Sequence, residues 1–108
     1  MLDLASIRIE CISRAVDRGS QLLDTAHPGW YTDVSLQTLE MLHQSHCILG
    51  QLYGSFDLGL SKLGLNKNEA QRYGFALDTE WTSVAWKWNS LWRIEVRSRE
   101  EFAAQRCA

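Results

Sequence analysis

The sequence predicts a mainly α fold: one three-helix domain with a central glycine-containing helix and a short extended arm or strand. Three observations carry this expectation. First, the stretch from Ser45 to Leu65 keeps an uninterrupted helical pattern, with Leu49, Leu52, Tyr53, Phe56, Leu60 and Leu63 within about 100° of one another. Second, the segments 3–26 and 79–106 also repeat apolar residues at helical spacing. Third, the chain has 108 residues, the size of a single domain that can bury about 65% of its extended-chain surface.

The first helix is expected over 3–26. Asp3 is its candidate cap, and Ala5, Ile9, Ile12, Val16, Leu23 and Ala26 form its stripe. Gly19 marks either a bend or the close approach of another element. His27-Pro28-Gly29 ends the helix, because the residue before proline is steered out of the α region. In the arm at 30–42, Val34 and Leu36 alternate with Asp33 and Ser35, as in a short strand with one face inward. Leu36, Leu39 and Leu42 equally suit a helical turn. The arm is read as lying across the core and carrying Trp30 into it.

The central helix is expected over 45–64, with Ser45 as cap and Gly64 as stop. Besides its large apolar stripe it has a second one of mostly small residues: Cys47, Gly50, Gly54, Leu58 and Ser61. A glycine within a helix costs about 0.5–1 kcal/mol relative to alanine. Gly50 and Gly54 are therefore expected to be buried where another backbone comes close. The connection 65–78 is rich in Asn, Gly and charge; Asn66 with Glu69 three residues later can start one or two helical turns. The last helix is expected over 79–106, with Trp81, Val84, Ala85, Trp88, Leu91, Trp92 and Phe102 on its core side and Glu95 interrupting it.

Composition excludes little and suggests less. Hydrophobic residues make up 45% and charged residues 22%, with a net charge of −2, which gives no general reason to seek nucleic acid or an anionic membrane. No apolar run approaches the roughly 18 residues of a membrane span. The N-terminus lacks a basic region followed by an apolar one, so a cytoplasmic protein without a signal peptide is expected. Three cysteines, at 11, 47 and 107, are expected to be free thiols, Cys11 and Cys47 as small core residues and Cys107 as an exposed one.

Chemistry-bearing motifs are sparse. His43, His46 and Cys47 form one tight cluster, whereas structural zinc takes four ligands, commonly from two separated pairs. No metal and no cofactor is expected. Cys47 and its neighbouring histidine point in different directions on a helix, and the nucleotide-binding glycine motifs GxGxxG and GxxxxGK[ST] are absent. The chain is therefore not expected to be an enzyme.

Trp86 is the informative residue. It lies roughly 160° around the helix from Trp88, among Ser90, Arg93 and Arg97, with Lys87 beside it. An indole there is either folded under another segment or exposed, and exposed tryptophan beside arginine is what protein-binding hot spots favour. Trp86, Lys87, Arg93 and Arg97 are the candidate binding residues. The same basic, Trp-rich helix could alternatively stack on nucleic acid, a reading that the overall negative charge disfavours.

A resemblance adds context. RGSQLLDTAHPGW (Arg18–Trp30), Val34 and Leu36, CILGQLYGSF (Cys47–Phe56), GLSKLGL (Gly59–Leu65) and YGF (Tyr73–Phe75) resemble a group of small uncharacterised proteins encoded in actinobacteria and in their phages and prophages. The resemblance covers about residues 14–92, and its most specific part is Cys-x-Leu-Gly-Gln-Leu-Tyr-Gly. The Trp cluster and basic tail after residue 86 are less typical of the group. The resemblance implies a phage or mobile-element accessory protein that binds a host or phage protein, such as an inhibitor of a host process, and supplies no mechanism. A homodimer is the further expectation.

Overall fold

The computed structural model describes residues 3–107. Five α-helices are connected by turns, and no strand occurs among the described residues. The mainly α class follows directly. The helices are α1 (Leu4–Ala26), α2 (Ile48–Tyr53), α3 (Phe56–Leu63), α4 (Lys67–Arg72) and α5 (Ala85–Cys107).

Helix α1 starts on Asp3, whose carboxylate accepts from the Ser6 amide at 2.7 Å, and ends on His27 before Pro28. It buries Ile12, Ala15, Val16, Gly19, Ser20 and Leu23; Ala5 and Ala26, read as part of the stripe, are exposed. Cys11 is exposed too, so of the two cysteines assigned to the core only Cys47 lies there. The side chain of Cys107 lies outside the described residues.

The arm does not form a strand. Trp30–Asp33 is a 3-10 turn, followed by turns as far as the start of α2. Trp30 is fully buried at the head of this segment. Its indole N–H donates to Asp24 at 2.9 Å, so a large ring enters the core without stranding its polar atom.

The central helix is broken in two, which corrects the expectation of one helix over 45–64. Gly54 takes φ +100° and closes α2; Ser55 then caps α3, its hydroxyl accepting from the Leu58 amide. Gly54 is exposed and is not a packing glycine. Gly50 is buried, but against the Gln44–Ser45 backbone and not another helix. The close approach of two helices falls instead at Gly59 of α3, where a Cβ would lie 2.6 Å from Cβ of Leu49 on α2. Cys47, and not Ser45, is the cap of α2: its sulfur accepts from the Gly50 amide at 3.2 Å.

Within 65–78, Asn66 and Glu69 form a reciprocal capping box that starts α4. Tyr73 and Gly74 then turn the chain across α1 at Gly19, where a Cβ would sit 1.9 Å from the Tyr73 carbonyl oxygen. Thr79–Val84 forms a 3-10 turn before α5, so the last α-helix begins six residues later than read from sequence.

Helices α1 and α5 run parallel. Arg8 meets the Glu80 carbonyl, Trp92 lies over Gly19, Ser20 meets Glu95 and Asp24 meets Arg99, in the same order along both segments. The core forms between them and the intervening turns. Trp92 is its centre, with Phe75 stacked at 5.4 Å and Trp30 edge-on at 6.0 Å between ring centroids. Val96 is fully buried one turn further on, whereas Phe102 is 60% exposed and leaves the core side to which the sequence assigned it.

Candidate functional site

Helix α5 presents two faces. Ala85, Trp88, Trp92 and Val96 point inward. Glu95 follows them on the edge of this side, and its interruption of the apolar stripe is explained by a polar network. Arg99 holds Glu95 at 2.7 Å and grips Asp24 through two hydrogen bonds of 2.8 Å, with its guanidinium carbon 5.5 Å from the Trp30 ring centroid. The Arg99 hydrogen bond holds the Asp24 carboxyl below its ordinary value, and burial of that carboxyl opposes the shift. This network locks the end of α1 to α5 and is structural.

The outer face carries Trp86, Ser90, Ile94 and Arg97, a strip of about 100° on the helix surface. Trp86 is 63% exposed and Ile94 52%. The Ser90 hydroxyl donates to the Trp86 carbonyl at 3.0 Å, leaving the indole without a role in that contact. Lys87 is half-buried and Arg97 exposed; among the described residues neither forms an ion pair.

Arg93 does not belong with them. Its two terminal nitrogens donate to the carbonyls of Leu36 and Leu39, the second at 2.8 Å. One turn earlier, Asn89 accepts from the Met41 amide at 2.7 Å and donates to Glu40 at 3.1 Å. These four bonds fasten the 36–41 turns along one flank of α5. Arg93 is thus a clamp on the fold, and the predicted set reduces to Trp86, Lys87 and Arg97, joined by Ile94. Helical spacing alone reveals Ile94 beside Ser90 and Arg97; nothing in the sequence marks Arg93 as engaged, because its acceptors are backbone carbonyls more than fifty positions away.

The histidine cluster is arranged differently from a ligand set. The rings of His43 and His46 stack at 4.0 Å, His43 Nδ1 accepts from the Ser45 amide, and the Cys47 sulfur is turned inward onto Gly50. Burial pushes the Cys47 thiol up from its ordinary value. Among the described residues, no three His, Cys, Asp or Glu side chains stand where they could hold a metal ion. No described helix is long and apolar enough to cross a membrane. Comparison of the chain with protein-family models, curated proteins and solved structures gives no match.

Proposed function

We propose that this chain is a non-catalytic protein-binding accessory protein whose partner docks on the outer face of α5. The observation that supports this reading is the exposure of Trp86, an indole off the core side of its helix. Burying a large apolar side chain is worth about 1.5–3 kcal/mol, which a partner would gain at Trp86 with Ile94 beside it. Lys87 and Arg97 supply the polar rim common around such anchors. The resemblance to small actinobacterial and phage proteins makes the partner a host or phage protein, met in the cytoplasm. A second copy of the chain is the occupant to test first. The nucleic-acid alternative loses support, because Arg93 and Arg99 of the basic helix are spent on internal contacts.

The test is Trp86→Ala. Its melting temperature is expected to match the parent, while association weakens by about 1 kcal/mol or more. Sedimentation under reducing conditions measures self-association, and capture from host lysate by parent and variant measures binding to other proteins. Loss of several kcal/mol of stability, or capture and self-association that ignore the substitution, would overturn the reading.

A further inference from the structure

Between α1, α4 and the 76–81 segment lies an open cleft of about 360 Å³. Ile12 and Ala15 of α1 and the rings of Trp81 and Trp88 give it apolar walls. Trp88 is 2% exposed and its N–H is spent on the Gly74 carbonyl, so the accessible ring of the cleft is that of the half-buried Trp81. Arg18 and Arg72 also line it. Arg18 Nε donates to the Arg72 carbonyl at 3.0 Å, which ties the middle of α1 to the end of α4. Among the described residues neither guanidinium forms an ion pair, unlike Arg14 with Glu10 and Arg99 with Asp24 and Glu95.

The carboxylate in the lining, Asp78, stands at the other end. It accepts from the Glu80 amide at 2.9 Å, and the Glu80 carbonyl meets Arg8. Arg8 precedes Arg18 on α1 by ten residues, about 15 Å along the axis. Arg18 and Arg72 thus stand without ion pairs at one end of the cleft. At the other, Asp78 is bonded to the Glu80 amide, and Arg8, also without an ion pair among the described residues, has its guanidinium carbon 5.2 Å from the Trp81 ring centroid.

We propose that this cleft binds a small flat apolar anion, an arene or heteroarene that carries a carboxylate or sulfonate. The ring lies against Trp81, and the anion takes the guanidinium donors of Arg18 and Arg72, whose planar fork suits such groups. The volume falls in the range of small-molecule sites, roughly 300–1,000 Å³. The site uses none of Trp86, Ile94 or Arg97 and stands independently of the α5 outer face.

The experiment titrates the ¹⁵N-labelled full chain with naphthalene-1-carboxylate and follows the indole N–H signals. Saturable movement of the Trp81 signal is expected, while that of Trp86 stays still. Arg72→Gln keeps the backbone carbonyl that holds Arg18 and should weaken binding about tenfold, as expected for one lost charge-assisted hydrogen bond. Naphthalene-1-methanol, the uncharged counterpart, should bind the unmodified chain more weakly by a similar factor, a comparison that needs no variant to fold. Absence of a saturable shift at Trp81 overturns the proposal, as does an affinity that survives either removal of charge.

Discussion

The indole N–H groups of Trp88 and Trp92 donate to one acceptor, the carbonyl oxygen of Gly74, each at 2.8 Å. The two tryptophans stand four residues apart on the inner face of α5, so their rings lie one above the other against the turn that crosses α1. A carbonyl oxygen has two lone pairs, and here both are used. Two large rings and a backbone turn thus enter the core with their polar atoms mutually satisfied. The turn between α4 and α5 is fixed by the same contact that seats α5 on the core.

A double-mutant cycle tests this sharing. Trp88→Phe or Trp92→Phe leaves Gly74 with one donor and should cost about 1–2 kcal/mol, partly from lost ring volume. Only the double variant strands the buried carbonyl. Its loss should therefore exceed the sum of the single losses by about 1 kcal/mol in urea denaturation. Strict additivity would show that the shared acceptor contributes nothing beyond two separate bonds.

Two glycines that look alike in the sequence should respond unequally to alanine. Gly54 has φ +100° but open surroundings, the nearest side-chain atom lying 3.6 Å from a built Cβ. Gly54→Ala should cost only the backbone strain, about 1–3 kcal/mol. Gly74 has φ +74°, and its Cβ would come within 2.7 Å of the Val16 amide nitrogen, a backbone atom that cannot swing aside. Gly74→Ala should exceed Gly54→Ala by at least about 1 kcal/mol. Thermal melts of the two variants decide the order, and equal losses would remove Gly74 as a wedge between α1 and α5.

The residues that carry local signals were legible. Asp3 and the Asn66/Glu69 pair act through partners three positions away and Pro28 through its immediate neighbour, and the bounds of α1 and the existence of α4 follow from them. The break at Gly54 was not, because the apolar period runs unbroken through it; the left-handed turn is visible only in the backbone angle. Glycines at 50 and 54 suggested a helix crossing that the fold places at Gly59. On α5, periodicity puts Trp88 and Trp92 inside and Trp86 off their side; that Trp86 is exposed and not covered by another segment is visible only in the fold. It cannot tell Arg93 from Arg97, since what distinguishes them is a loop from the other half of the chain. The cleft beside α1 was invisible for the same reason: its arginines come from 18 and 72, and its rings from 81 and 88.

The Asp24–Arg99 pair gives the fold a pH dependence of known sign. The Asp24 carboxyl is held below its ordinary value of 3.8 chiefly by the Arg99 hydrogen bond. A carboxyl lowered in the fold binds its proton more readily once unfolded. Its contribution is then fully present above about pH 5 and is lost as the pH falls through the folded value. The side chain is 44% exposed, so solvent screening keeps the contribution on the order of 1 kcal/mol. Asp24→Asn should therefore be less stable than the parent at pH 7, with the gap narrowing as the pH falls below the ordinary carboxyl value. Urea midpoints at three pH values measure this, and a gap that holds or widens in acid contradicts the assignment.

The arginines of α5 at 93 and 97 should split cleanly between stability and binding. Arg93 donates to two backbone carbonyls of the 36–41 turns, and hydrogen bonds from a charged donor contribute about 1.5–3 kcal/mol. Arg93→Ala would leave the Leu36 and Leu39 carbonyls without that donor and free the turns from α5. A loss of roughly 1.5–3 kcal/mol in denaturant is expected. Arg97, exposed and unpaired among the described residues, should change stability by less than about 0.5 kcal/mol when replaced by alanine. In association assays the order should invert among the folded variants: Arg97→Ala and Trp86→Ala lower affinity, whereas Arg93→Ala acts only through the fraction of protein that remains folded. Correcting each affinity for that folded fraction separates the two roles. Were Arg93→Ala to keep full stability and still abolish binding, its place would be in the interface and not in the clamp.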